Sequence, residues 1–95
     1  MKEILIREYE HLEVKCEVYL CQGEFGGNYV KVKLFEEIYT FDFNMFGAID
    51  GFLQGLKDTV ETFDLAGGVD DIYNYFERFC TFEDEMTGDK YYTIE

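Results

Sequence analysis

One stretch of the sequence, from Phe46 to Phe63, limits the possible folds more than any other. Its apolar residues recur at steps of three and four, so they lie on one side of an α-helix. The apolar arc is about 100° wide, which is enough to cover a sheet, and polar side chains occupy the opposite side. Asn44 is the candidate N-cap, because its side-chain oxygen can accept an unpaired N–H of the first turn. We predict a long amphipathic helix with these buried residues: Ile49, Phe52, Leu53, Leu56, Val60 and Phe63.

The residues before this helix alternate between apolar and polar side chains, as they do in strands with one buried face. A short strand is expected over residues 3–9, where a helical turn is also possible. The segment 22–28 contains three glycines and predicts a loop. The clearest alternation lies between the first strand and this loop, and it resumes after the loop: Leu12, Val14, Cys16, Val18 and Leu20, then Val30, Val32 and Leu34.

A pair of glutamates, Glu36-Glu37, lies between two strand patterns and predicts a two-residue hairpin turn, although Glu-Glu is not a favoured pair for such turns. A slip of one residue in this hairpin would turn its apolar residues to solvent, so the pattern limits the register. We therefore expect an antiparallel meander of three to four strands. The predicted pairs are Leu34 with Tyr39, Val32 with Phe41, Val30 with Phe43, Lys31 with Asp42 and Lys33 with Thr40.

The chain after the long helix predicts a second, shorter helix and one further element. Leu65 to Gly68 breaks the pattern, and apolar residues at helical spacing follow from Val69 to Phe79. Beyond Cys80, the turn signal at residues 87–89 favours a small hairpin of 81–86 with 90–94, and a third helix or a frayed tail is also possible. The expected fold is α+β over residues 1–95 as a single domain, with two helices packed on one face of a small antiparallel sheet.

Net charge is the strongest compositional feature: 21 acids against 8 bases give −13. Residues 1–35 carry six acids and five bases, or −1, whereas residues 36–95 carry fifteen acids and three bases, or −12. Such a field repels nucleic acid and membrane surfaces and attracts basic protein surfaces. We therefore expect a basic protein partner, with neither direct nucleic-acid binding nor membrane binding, and a monomer rather than an oligomer.

The residue inventory disfavours catalysis and metal binding. Serine is absent, and His11 is the only imidazole. His11 could join Cys16, Cys21 and Cys80 as zinc ligands by type, but Cys16 and Cys21 fall on opposite faces of one strand. We expect no enzyme activity, no cofactor and no metal. The cysteines and the charged N-terminal residues are typical of a protein of the reducing cytoplasm.

The acids of the second half of the chain outnumber any intramolecular partners. Carboxylates can satisfy the same Arg and Lys side chains that phosphates would, and tyrosine is favoured at interfaces. The alternative is that the acids only keep an aromatic-rich protein soluble. Glycines spaced by four, Gly47, Gly51 and Gly55, could likewise admit a close neighbour or simply be tolerated. The candidate partner-binding residues are Asp70, Asp71, Tyr73, Glu77, Glu83, Asp84, Glu85 and Asp89, with Glu36 and Glu37.

In size, charge and element order the chain resembles the small acidic phage anti-CRISPR proteins that inhibit Cas9. The resemblance implies a non-enzymatic inhibitor that blocks DNA binding or cleavage by Cas9 in the host cytoplasm, in part as a DNA mimic. Two other classes stay open: an immunity protein that neutralises a nuclease toxin, and a structural phage protein whose charge serves solubility only. The residues that carry the resemblance are Asp70, Asp71, Glu77, Glu83, Asp84, Glu85 and Asp89, with Glu36, Glu37 and Asp42 as secondary members.

Overall fold

A six-stranded sheet with two helices on one face forms the fold, in a computed structural model that describes residues 2–23, 27–62 and 68–95. This arrangement confirms the predicted α+β class. The elements in chain order are β1 Lys2–His11, β2 Val14–Gln22, β3 Asn28–Leu34, β4 Glu37–Phe43, α1 Phe46–Thr62, α2 Asp70–Glu77, β5 Cys80–Glu83 and β6 Lys90–Ile94.

The strands lie in the order β1-β2-β3-β4-β6-β5. The first four strands form the predicted antiparallel meander, and the C-terminal residues form the predicted hairpin. That hairpin extends the same sheet, because β6 pairs in parallel with β4 through Phe41 and Tyr92. Tyr92 and Ile94 are buried in the same core cluster as Phe41. The apolar residues of β6 therefore cover the edge of β4 that the meander leaves open.

The predicted register of the β3–β4 hairpin is wrong by two residues. The turn is formed by Phe35 and Glu36, so that Leu34 pairs with Glu37 and Val32 pairs with Tyr39. A shift of two residues keeps every side chain on its own face, because the side-chain period of a strand is two. The apolar pattern consequently excludes a slip of one residue but cannot choose between these two registers.

The β1–β2 hairpin also differs from expectation in its turn. β1 continues to His11 and buries Tyr9, and a two-residue turn at Leu12 and Glu13 precedes β2. Both turn residues have positive φ, 50° and 68°, in the left-handed region that tight hairpins require. Leu12, predicted to be a core residue, is therefore exposed at the turn. Val14 takes the first buried position of β2 instead.

Helix α1 confirms the prediction for residues 46–62. Five of the six predicted core residues are buried, and the sixth, Phe63, lies outside the described residues. Met45 rather than Asn44 precedes the first helical residue, and the N–H of Ala48 donates to its carbonyl at 3.0 Å. The predicted N-cap is thus one residue too early.

The second helix packs on α1 and β4 through aromatic side chains. As predicted, Ile72 and Phe76 of α2 are buried, and Phe76 lies 5.4 Å from Phe41 between ring centroids. The hydroxyl of Tyr75 donates to the carbonyl of Phe52 at 2.7 Å, which fixes α2 against α1. Of the breaking segment, Leu65 to Gly67 lie outside the described residues, and Gly68 has a φ of +60°.

A candidate protein-binding site at the hairpin end

All three β-hairpin turns near the candidate residues lie at one end of the sheet. β1, β3 and β5 run towards this end, and each is followed by a turn and an antiparallel return strand. Neighbouring turns are two strands apart, or about 10 Å at the usual strand spacing. We call this region the hairpin end. Its carboxylates are Glu10, Glu13, Glu36, Glu37, Glu83, Asp84, Glu85 and Asp89.

The hairpin end holds more negative charge than its ion pairs neutralise. Three ion pairs occur among residues 2–23, 27–62 and 68–95, and none of them includes one of these eight carboxylates. Lys90, at the start of β6, donates to Glu77 at 2.6 Å. Lys15, near the first turn, pairs with Glu8 at 3.3 Å. Lys15 and Lys90 are therefore already paired with other acids.

Internal hydrogen bonds order the β5–β6 turn. The N–H of Asp84 donates to the carbonyl of Asp89 at 2.8 Å, and the N–H of Gly88 donates to the carbonyl of Asp84 at 2.7 Å. The Asp84 carboxylate accepts the N–H of Met86 at 2.9 Å, so this acid has a structural role in addition to its charge. Gly88 has a φ of +77°, which a glycine adopts without strain. Glu85 is exposed to solvent on this hydrogen-bonded turn.

An open cleft lies between β4 and β6 beside this turn. The two strands pair only between residues 41–43 and 92–94, and they separate towards the hairpin end. The cleft has a volume of about 620 Å³, and its walls include Tyr39 and Asp42 on one side and Asp89 and Tyr91 on the other. Carboxylates and tyrosine rings together are suited to a cationic side chain with a planar head, because both groups contact guanidinium.

Tyr39 links the cleft to the helix layer. Its hydroxyl donates to the carboxylate of Glu37 at 2.5 Å, and burial together with this hydrogen bond raises the pKa of Tyr39. Tyr39 therefore stays protonated at neutral pH as a donor. Tyr73, a predicted partner-binding residue, lies half-buried with its ring centroid 6.2 Å from that of Tyr39. Tyr73 thus contributes to packing behind the cleft.

The predicted acids of α2 lie in the helix layer. Glu77 reaches the hairpin end through its bond to Lys90. Asp71 lines a hollow with Thr59 and Thr62 of the last turn of α1, while Asp70 is exposed in the first turn of α2. Helix α1 starts where β4 ends and is about 25 Å long, close to the length of the sheet, so its last turn lies towards the hairpin end. The structure therefore brings the candidate residues to one end of the molecule in two layers.

Sequence reasoning missed the apolar residues at the turns. Each of the three turns carries one large exposed apolar side chain: Leu12 is 48% exposed, Phe35 51% and Met86 95%. Leu12 and Phe35 also have positive φ, where Asn or Gly is usual. Phe35, directly before Glu36-Glu37, is the local signal from which the turn could have been predicted one residue earlier. An exposed apolar residue surrounded by charges is the usual anatomy of a protein interface.

The described residues 2–23, 27–62 and 68–95 contain no group of three or more His, Cys, Asp or Glu side chains arranged to hold a metal ion. Cys16 is fully buried in the core, as predicted, and burial raises the pKa of its thiol to about 12. Cys21 is also buried, on the opposite face of β2. Neither cysteine contributes to the hairpin end.

Comparison with known proteins gave no relative: no protein-family model, curated protein or solved structure matches this chain. Among the described residues, no helix is both long enough and apolar enough to cross a membrane. Function is therefore inferred from the residues of the hairpin end.

Proposed function

We propose that this protein is a non-enzymatic inhibitor whose hairpin end binds the basic nucleic-acid-binding surface of another protein in the cytoplasm. The observation that supports the proposal is the convergence of acids from three separate hairpins at one end of the sheet, outside the ion pairs of the described residues. Beside two of these turns lies an open cleft lined by Asp42 and Asp89. A surface of this kind presents carboxylates where a nucleic acid would present phosphates. Arginine and lysine side chains bind both groups through charge-assisted hydrogen bonds.

The exposed apolar residues favour a protein as the partner. Leu12, Phe35 and Met86 stand among the acids of the three turns. Apolar contacts surrounded by charged groups supply affinity at the centre of an interface, while the charges accelerate association and orient the partners. The hairpin end therefore combines long-range electrostatic attraction with apolar side chains for close contact.

The first partner to test is Cas9 loaded with guide RNA, because the chain resembles small acidic anti-CRISPR proteins of phages. In this proposal the carboxylates act as a DNA mimic and occupy a groove that otherwise binds DNA. Binding should weaken as salt is raised, because the contacts are ionic and partly exposed.

A charge reversal separates the site from the overall charge. The variant Glu83→Lys/Glu85→Lys changes the hairpin end, and Asp50→Lys/Asp58→Lys makes the same change of net charge on the exposed side of α1. Binding to the Cas9–guide complex and DNA cleavage would be measured at about 0.05 M and about 0.5 M salt. We expect the first variant to lose about tenfold or more in affinity, mainly through the association rate, and the second to stay within about twofold.

Each outcome of this experiment distinguishes one explanation of binding from the others. Equal losses in the two variants would show that overall charge rather than the hairpin end is responsible. Cleavage blocked with DNA binding intact would move the contact from the DNA groove to a nuclease domain. Failure to capture Cas9 or any basic nuclease would favour the structural phage protein, whose charge serves solubility only.

The second candidate is an immunity protein that neutralises a nuclease toxin. The three apolar turn residues favour it, since no part of a phosphate backbone resembles them. Such a protein would bind one cognate toxin and would not compete with nucleic acid at an RNA-guided nuclease. Competition with DNA for the captured partner therefore separates the two candidates.

A further inference from the structure

The face of the sheet opposite the helices, called here the open face, carries a band of residues that crosses all six strands. No other element of the described residues covers this band, although Cys21, towards the other end of the face, is buried. Leu5 of β1 lies opposite Tyr19 of β2, and Tyr19 lies opposite Lys31 of β3. The band continues through Thr40, which pairs with Lys31 and faces Tyr91 across the cleft. Directly paired residues share a face of the sheet. The complete band is Leu5, Tyr19, Lys31, Thr40, Tyr91 and Phe82.

The order of residues in this band is symmetric about its centre. An aliphatic or aromatic pair occupies each end, and two polar residues, Lys31 and Thr40, occupy the middle. At one outer end the Phe82 ring lies 5.7 Å from that of Tyr91, and Phe82 is 59% exposed. A two-fold axis parallel to the strands, between β3 and β4, would bring Leu5 onto Phe82 of a second copy. Surfaces that match themselves in this way are what two-fold dimers require.

The open face is also nearly neutral in a strongly acidic chain. Its five acids and three bases give −2, against −13 for the whole chain. Two of the bases are already paired on the face, Lys31 with Glu3 and Lys15 with Glu8, both at 3.3 Å. Two copies can therefore approach here with the least repulsion. The charged residues of this face are Glu3, Glu8, Glu10, Lys15, Glu17, Lys31, Lys33 and Asp42.

Contrary to the monomer expected from the sequence, we infer that the open face binds a second copy of this chain and forms a two-fold dimer in which two sheets pack face to face. Six strands at about 4.8 Å and about seven residues at 3.3 Å give a face of about 670 Å² before side-chain relief is counted. A standard interface needs about 800 Å² per partner, so the face is of a suitable size. The dimer does not rest on the proposed function, but the two surfaces overlap: Thr40, Asp42 and Tyr91 of the open face also line the cleft, so a dimer would compete with a partner there.

Sedimentation equilibrium of the full chain at about 10–100 μM tests the dimer directly. We expect a monomer–dimer equilibrium that shifts towards dimer as salt rises, because salt screens the repulsion between two acidic chains. This salt response is opposite to that of the proposed partner binding. A chain that stays monomeric at every concentration and salt level overturns the inference.

Lysine variants locate the interface. Leu5→Lys and Phe82→Lys should each raise the dimer dissociation constant about tenfold or more, although the added positive charge reduces overall repulsion. Met45→Lys is the control, since Met45 is 71% exposed and lies off the face. A dimer that Met45→Lys weakens as much as Phe82→Lys does would place the contact elsewhere and overturn the inference.

A mixing experiment tests the symmetry itself. Chains with Leu5→Glu and chains with Phe82→Lys should each dimerise poorly alone, because each dimer places a charge against an apolar residue twice. An equimolar mixture should form the mixed dimer, with one Glu–Lys contact and one unchanged Leu5–Phe82 contact. Equal dimerisation of the mixture and of the separate variants would contradict the two-fold arrangement.

Discussion

At the scale of single residues, only the folded structure shows the backbone environments of Gly55 and Phe35. A Cβ at Gly55 would overlap the Tyr75 hydroxyl and come within 2.9 Å of its ring, whereas a Cβ at Gly51 would meet open space. Of the glycine stripe noted in the sequence, Gly55 is therefore required by a neighbouring ring of the same chain. Phe35 is the opposite case, since its φ of +58° is one that a non-glycine residue adopts at a cost.

Gly55→Ala should destabilise the protein by about 1–3 kcal/mol, because the new methyl displaces Tyr75 and its bond to the Phe52 carbonyl. Gly51→Ala is the matched control and should stabilise by about 0.5–1 kcal/mol through helix propensity. Urea unfolding followed by circular dichroism measures both. Equal effects of the two substitutions would contradict the close contact between Gly55 and Tyr75.

Phe35→Asn should raise the free energy of unfolding by up to about 1 kcal/mol, because Asn tolerates the left-handed backbone and the Phe35 ring is half exposed. The same variant should weaken capture of the partner, since it removes an apolar contact of the hairpin end. Thermal unfolding and the capture assay give the two readouts. A loss of stability would show that the Phe35 ring serves the fold.

At the scale of elements, the sequence predicts each helix and the meander but not how the C-terminal hairpin is placed. The helix pattern of α1 and the alternation of β2 are strong because each has a long apolar face. The predicted position of the β3–β4 turn is wrong, because a shift of two residues in the strand register leaves Val30 and Val32 buried and so does not disturb the apolar pattern. The parallel pairing of β6 with β4 depends on residues distant in sequence, Phe41 and Tyr92, and no local pattern contains it. For the same reason, the acids could be named from the sequence, but their gathering at one end with Leu12 and Met86 could not.

Ile94→Ala tests whether β6 is an integral strand. Ile94 is fully buried beside the end of β4, so the substitution should cost about 2–4 kcal/mol, as deletions of buried aliphatic side chains do. Thr93→Ala, on the opposite face of the same strand, should cost less than about 1 kcal/mol. Similar small losses at both positions in urea unfolding would indicate a weakly attached hairpin.

At the scale of the whole molecule, the stability depends on buried groups that must stay neutral. Burial raises the pKa of Tyr75 to about 12 from 10.0 and that of the Cys16 thiol to about 12 from 9.0. In the unfolded chain both groups lose their protons at lower pH than in the folded chain. Their contribution to the free energy of unfolding is therefore fully present below about pH 9 and is lost as the pH rises towards 12.

Urea midpoints measured from pH 7 to pH 11 should fall above about pH 9. Tyr75→Phe removes one of these groups and should flatten part of the decline above about pH 10, although it lowers stability at pH 7 by about 1 kcal/mol through the lost hydrogen bond. The remaining decline includes Tyr9, Tyr39 and Tyr92, because burial raises the pKa of each. An unchanged slope in this variant would show that Tyr75 does not contribute to the alkaline loss.

The parallel pairing of β4 and β6 also sets the order in which the protein can fold. The meander closes through contacts between neighbours in sequence, whereas β6 must return across both helices before it meets Phe41. Contacts of long sequence separation form late, because closing a long loop costs entropy before any contact rewards it. Until then the apolar edge of β4, with Phe41 and Phe43, is open to strands of other chains. Misassembly during refolding should therefore arise at this edge and increase with protein concentration.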